Sequence, residues 1–225
     1  MCGRFTLTAG PEDLQAAFPG LQIPSGSLEP RYNIAPSQPV AVIPNTGENR
    51  LDFYTWGLIP SWAKDPTIGN NLINARAETL IEKPAFRSAF RRRRCLIPAD
   101  GFYEWQVIPG QKTKVPTFIH LQPFLPFALA GLWEIWHAPD GSEIRSCTII
   151  TTQPNSLMQL IHNRMPVILP PHTWQQWLEP RESDPARLAA LLQPYPAEQM
   201  TSHPVSSLVN SPANNRPECI QPIAA

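Results

Sequence analysis

Four runs of apolar, β-branched and aromatic residues dominate the middle of this chain: CLIPADGFYEW (95–105), KVPTFIHL (114–121), FALAGLWEIW (127–136) and SCTIITT (146–152). Turn-forming residues bound each run, so each reads as extended structure. PVAVIPN (39–45) and LDFYTWGLI (51–59) read as strands too, and HPVSSLVN (203–210) as a last one. Helical spacing is confined to short stretches. One helix is expected from Pro11 to about Phe18, with Pro11 in its first turn and Glu12 and Asp13 near its positive end. NARAETLIEKPAFRSAFRRR (74–93) reads as helical segments interrupted by Pro84. PNSLMQLI (154–161) and PHTWQQWL (171–178) look like short helices, and DPARLAALLQ (184–193) is amphipathic with Asp184 as its cap. Strand-dominated runs with helices inserted among them predict an α+β fold. A single domain is expected, with a mainly antiparallel β-sheet or barrel-like core and peripheral short helices. The tail from about residue 212 is expected to be irregular.

Composition changes this picture little. A chain of 225 residues, 42% hydrophobic and without a Gly/Ser linker in its middle, favours one large core over two. Its 28 prolines are dispersed, as turn and edge punctuation in a β-rich fold. A formal net charge of zero excludes a global field that would draw the protein to nucleic acid or membrane. Locally, FRSAFRRRRC places Arg87, Arg91, Arg92, Arg93 and Arg94 close together, which predicts an anion-attracting patch. The four cysteines, Cys2, Cys95, Cys147 and Cys219, form no CxxC pair, which argues against a zinc site and a disulfide framework. There is no apolar leader and no stretch long enough to span a bilayer, so a reducing, intracellular setting is expected.

Candidate chemistry comes from polar residues set among apolar ones. Cys2 follows the initiator methionine, and removal of Met1 would leave an α-amine and a thiol on one residue. Asn74, Arg76 and Glu78 alternate after an apolar pair. Glu104 lies between Tyr103 and Trp105, and His162 and Arg164 separate an apolar helix end from an apolar strand. Taken singly, each is equally a helix cap, a solvent-facing strand residue or a hydrogen-bonded core residue.

Taken together they are more specific. The strings MCGRF, RYNIAP, WGLIPSW, NARAET, ADGFYEW, IHNRMP and SHPVS, in this order from Met1 to about Asn210, closely resemble the SOS response-associated peptidase family. Members of that family cross-link to abasic sites in single-stranded DNA. The resemblance implies a thiazolidine formed by Cys2 after loss of Met1, with Glu104 moving protons, His162 assisting sugar-ring opening and Asn74 orienting the N-terminal residue. It also implies that Arg76 and Arg164 hold phosphates, with Arg4 and Asn33 close by, that Trp62 stacks on a base, and that His203 lines the pocket. WAKDPTIGNN (62–71) reads as a longer loop than many relatives carry, which leaves the stacking geometry at Trp62 open. Arg4 is also a candidate for the positive neighbour that would help the Cys2 thiol ionise. No cofactor and no metal are expected, and the implied protein is a cytoplasmic monomer that reaches the nucleoid when acting on DNA. The implied activity is self-processing peptidase with lyase-type chemistry. Two other readings stay open: a thiol peptidase acting on other peptides through its N-terminal nucleophile, and a non-covalent single-stranded DNA-binding module.

Overall fold

A computed structural model describes residues 2–223; Met1, whose removal the resemblance implies, lies outside them. Among the described residues, thirteen strands carry the fold. They are β1 (Arg4–Leu7), β2 (Arg31–Ile34), β3 (Pro39–Pro44), β4 (Asp52–Trp56), β5 (Asn74–Arg76), β6 (Arg94–Ala99) and β7 (Gly101–Gln106). After them come β8 (Val115–Leu121), β9 (Phe127–His137), β10 (Glu143–Thr152), β11 (Met165–Pro166), β12 (Ile168–Leu169) and β13 (Met200–Pro204). Five short helices lie among them: α1 (Pro11–Ala17), α2 (Arg87–Arg92), α3 (Ser156–Gln159), α4 (Trp174–Leu178) and α5 (Pro185–Ala189).

The strands form two bodies. Hydrogen-bonded neighbours lead from β10 to β4, β3, β6 and β9 and back to β10, which closes a five-stranded barrel. Every pairing in the ring is antiparallel except that of β10 with β4. The second body is an open antiparallel sheet in the order β13-β8-β7-β1-β2. The α+β expectation with a barrel-like, mainly antiparallel core therefore holds.

The run CLIPADGFYEW is two strands rather than one. It passes from barrel to open sheet at Asp100, whose carboxylate accepts hydrogen bonds from Thr6 Oγ1 (2.5 Å), Thr8 N (2.5 Å), Thr8 Oγ1 (2.7 Å) and Ala9 N (3.0 Å). A buried carboxylate satisfied four times over fixes the end of β1 at the corner. The next residue is a glycine for steric reasons, because a Cβ on Gly101 would lie 2.1 Å from the Phe118 ring.

Register gives the open sheet two unlike faces. Phe5, Phe102 and Ile119 are cross-strand neighbours on the face that joins the main core, where the Phe5 ring meets Trp56 edge-on at 5.2 Å. Arg4, Tyr103, Phe118 and His203 line up on the other face, over a smaller cluster with Val205 and Val209. Glu104, paired with Thr117, is on the Phe102 side.

Two sequence expectations need correction. Asn74–Arg76 is a strand, not a helix: it pairs in parallel with Ile149–Thr151 of β10, so tertiary pairing overrides the helix propensity of Ala75 and Arg76. The run 203–210 ends its strand at Pro204 and continues as a 3-10 turn over Ser207–Asn210. Beyond residue 212 the chain carries a 3-10 turn at Pro217–Cys219, a buried Cys219 and a bridge between Val205 and Pro222. Asp184 does cap its helix, accepting from Ala186 N at 2.9 Å.

Candidate active site

Cys2 lies just before β1 and is fully buried. Asn74, at the start of β5, donates from Nδ2 to the Cys2 carbonyl at 2.8 Å, so the parallel pairing of β5 with β10 positions the residue that grips the N-terminal backbone. Asn74 Oδ1 is buried and has no hydrogen-bond partner among the described residues, which leaves an acceptor beside Cys2. The Cys2 thiol faces the Arg4 carbonyl (Sγ to O 3.7 Å). Burial pushes its pKa up, and the carboxylate charge of Glu104 pushes it further the same way.

Glu104 is 3% exposed on the inner face of β7. Burial lifts its carboxyl to about 7, with nearby positive charge, Lys114 included, working in the opposite direction. A carboxyl at that value exchanges protons readily near neutral pH. His162 follows α3, and burial together with the Lys114 charge holds its pKa below the ordinary histidine value, so the ring is neutral at pH 7. His162 Nδ1 lies 3.1 Å from Arg164 N and 3.3 Å from Arg164 O, so the Arg164 backbone holds the ring in place. Lys114 acts on both groups, which places them in one electrostatic neighbourhood. Gln106 Nε2 bonds Leu160 O at 2.8 Å and ties the end of β7 to the end of α3. Cys2, Asn74, Glu104 and His162 are thus drawn together where the inner face of the open sheet meets the rim of the barrel.

The remaining candidates divide. Arg76 is exposed, and its guanidinium has no hydrogen bond or ion pair among the described residues, so it is available to an anion. Trp62 is 59% exposed. Its loop is pinned further along, where the backbone of Gly69 lies so close to Gly57 that a Cβ there would come within 2.7 Å of the Gly69 carbonyl oxygen. Four other candidates have partners within the protein. Asn33 is buried, and its amide donates to Val209 O, Ser211 O and Asn214 O while its Oδ1 accepts from Arg4. The Arg4 guanidinium is held by Asn33 Oδ1 (2.9 Å), Val209 O (2.7 Å) and Asn210 O (3.3 Å), which fastens the C-terminal segment to β1. His203 is on the opposite face of the sheet from Glu104, 5.6 Å from the Phe118 ring, with Nε2 bonded to Ile220 O. Arg164 is engaged bidentately by Glu78 (2.7 and 2.9 Å) and also by Thr151 O (2.6 Å).

That engagement separates the two arginines experimentally. Arg164→Ala is expected to destabilise the fold by roughly 2 kcal/mol, because it removes charge-assisted hydrogen bonds from a side chain that is only 13% exposed. Arg76→Ala is expected to leave stability within about 0.5 kcal/mol of the parent protein. Urea denaturation measures both, and equal midpoints for the two variants would deny Arg164 its structural role.

Glu78, Thr151 and Lys114 are the participants that sequence reading left without a role. Glu78 had a faint signal in its alternation with Asn74 and Arg76; Lys114, exposed just before β8, had none. Among the described residues no group of three or more His, Cys, Asp or Glu is placed to hold a metal.

Known proteins match this chain from end to end. A family model described as SOS response associated peptidase covers residues 1–212. Abasic site processing protein YoqW of Bacillus subtilis is 53% identical over 223 residues, spanning 98% of this chain and 99% of its own. Abasic site processing protein HMCES of Xenopus tropicalis is 32% identical, over 99% of this chain and 78% of its own. A crystal structure of a protein from Bacteroides thetaiotaomicron superimposes with a TM-score of 0.89 at 30% identity, covering 99% of this chain and all (100%) of that one.

Proposed function

Because the chain belongs to the SOS response-associated peptidase family, we propose that it processes abasic sites in single-stranded DNA by forming a covalent bond through Cys2 after Met1 has been removed. The abasic sugar opens to an aldehyde. The freed α-amine attacks it, a C–N bond forms, and the carbonyl oxygen leaves as water. The Cys2 sulfur then adds to the imine carbon and its proton passes to the nitrogen, which closes a five-membered thiazolidine. The whole sequence expels one water. Holding both nucleophiles on one residue gives the second step an intramolecular advantage on the order of several kcal/mol.

The observation that carries this reading is the setting of Cys2: its carbonyl is gripped by Asn74 and its thiol lies in the field of a carboxyl poised near pH 7. In this reading Glu104 gives a proton to the departing oxygen and takes one from the amine. Neutral His162 assists proton transfer to the sugar oxygen as the ring opens. Arg76 holds a flanking phosphate, and exposed Trp62 stacks on a neighbouring base, a contact typically worth about 1–3 kcal/mol. Removal of Met1 by the same groups, a hydrolysis in which water adds across the amide bond, fits the peptidase name of the family.

Intact mass spectrometry tests the proposal on protein incubated with single-stranded DNA containing one abasic site. The expected species is the chain without Met1, plus the oligonucleotide, minus one water. An adduct on a chain that still carries Met1, or no mass addition at all, would overturn it.

A further inference from the structure

The run of arginines at 91–94 is not one patch. Arg94 is fully buried, and its guanidinium donates to Trp177 O, Phe90 O, Arg91 O and Glu179 O, capping the ends of α2 and α4. Arg93 pairs with Glu134 at 2.7 Å. Those two hold α2 against the barrel and leave no charge to offer. Arg87, Arg91 and Arg92 remain exposed on α2, and none of them forms an ion pair among the described residues. With Ser88 and Ile81, which is 52% exposed, they line a shallow cavity of about 470 Å³. Arg87 and Arg91 are one helical turn apart, so their side chains project over the same face.

We propose that Arg87, Arg91 and Arg92 form a second contact surface for nucleic acid, one that holds the sugar–phosphate backbone beyond the nucleotides around the lesion. The inference rests on the reading of Cys2 as the group that reacts with abasic DNA, and it lengthens that footprint. Three unpaired cations around an apolar side chain suit a chain of phosphates joined by sugars, with Ile81 against the sugars. The chain's zero net charge makes this a local attraction rather than a property of the whole surface. The patch is tethered to the reactive site, because Arg76 is followed 11 positions later by Arg87. So short a segment cannot span more than about 40 Å even when fully extended. That is about 12 nucleotides at the rise of a B-form strand.

The test compares binding of two single strands, of 8 and 30 nucleotides, each carrying a non-reactive abasic analogue, and of a lesion-free 30-mer. The proteins are the parent, Arg87→Ala/Arg91→Ala/Arg92→Ala, and the triple lysine variant, which keeps the charge. The alanine variant is expected to bind the 8-mer as the parent does and to lose the parent's preference for the 30-mers. Loss of three phosphate contacts lowers the salt slope by about 2, so the parent's advantage on a 30-mer shrinks roughly 20-fold between 50 and 200 mM salt. The lysine variant should behave like the parent and shows that loss of fold is not the cause. Equal affinities and salt slopes of parent and alanine variant on every strand overturn the proposal, and so does an equal loss on the 8-mer and the 30-mers. Adduct formation on a reactive abasic 8-mer is measured in parallel. If the parent forms none, the assignment of Cys2 fails, whereas the 30-mer comparison judges the patch by itself.

Discussion

Protein with Cys2→Ser, confirmed by mass to have lost Met1, is expected to bind abasic DNA in an adduct that heat destroys and borohydride captures. Serine keeps the α-amine and so can form the imine. Its hydroxyl is a far weaker ring-closing nucleophile than a thiol, and the adduct stops at a C=N bond that water reverses. If ring closure contributes about 4 kcal/mol, its loss shortens the adduct's lifetime roughly a thousandfold. Borohydride reduces the imine to an amine and traps what forms. The parent adduct should survive the same heating untreated. A heat-stable adduct from the serine protein would remove the thiol from the chemistry. Because Cys2 is fully buried, the variant's folding is checked by its urea midpoint before its adducts are compared.

Glu104→Gln carries the second large effect. The amide preserves shape and hydrogen-bonding length but cannot exchange a proton. Single-turnover cross-linking or release is expected to slow about 10²–10⁴-fold while affinity for a non-reactive abasic strand stays constant. The parent's rate should change with pH around 7, where its carboxyl titrates, and that inflection should vanish in the variant. Stability moves with the same group. Burial raises the folded-state pKa from 4.5 to about 7, so the stability that the protonated carboxyl contributes is complete below pH 4.5 and is lost as pH rises through 7. Relative to the parent, the glutamine protein should therefore resist urea better at pH 8 than at pH 4. Rates within a factor of two of the parent at every pH would leave His162 to move protons alone.

These groups differ in how plainly the sequence announced them. Much of the barrel was legible because runs such as Cys95–Ala99 and Phe127–Trp133 are apolar and buried on both faces, and such strands need no alternation. Asn74–Arg76 was misread as helix for a physical reason: its residues prefer helix locally, and only β10, more than seventy positions away, supplies the backbone partners that make it a strand. The break at Asp100 was hidden because its function is to gather hydrogen bonds from Thr6, Thr8 and Ala9, at the other end of the sequence from any local signal. The arginine run looked uniform as text, yet strand and helix geometry sends Arg93 and Arg94 inward and leaves their neighbours outside. The core of the candidate site, Cys2, Asn74, Glu104 and His162, was found through ordered motifs rather than through any local pattern. Arg4, Asn33 and His203 belong to the same motifs, and what sets them apart is which face of a sheet they occupy, a property that emerges only once strands are paired.

The fastening of Arg4 and Asn33 to the carbonyls of residues 209–214 also sets an order of events in time. Val209 and Asn210, which receive the Arg4 guanidinium, are 205 and 206 positions downstream. A ribosome adding about 5–20 residues per second needs roughly 10–40 s to make that stretch, and the clasp cannot close before the stretch has emerged. Throughout that interval the start of the nascent chain has none of its C-terminal fastening. A separate aminopeptidase acting in that interval would meet the first residue before the last-made segment locks Arg4 in place, whereas self-processing waits for the folded site.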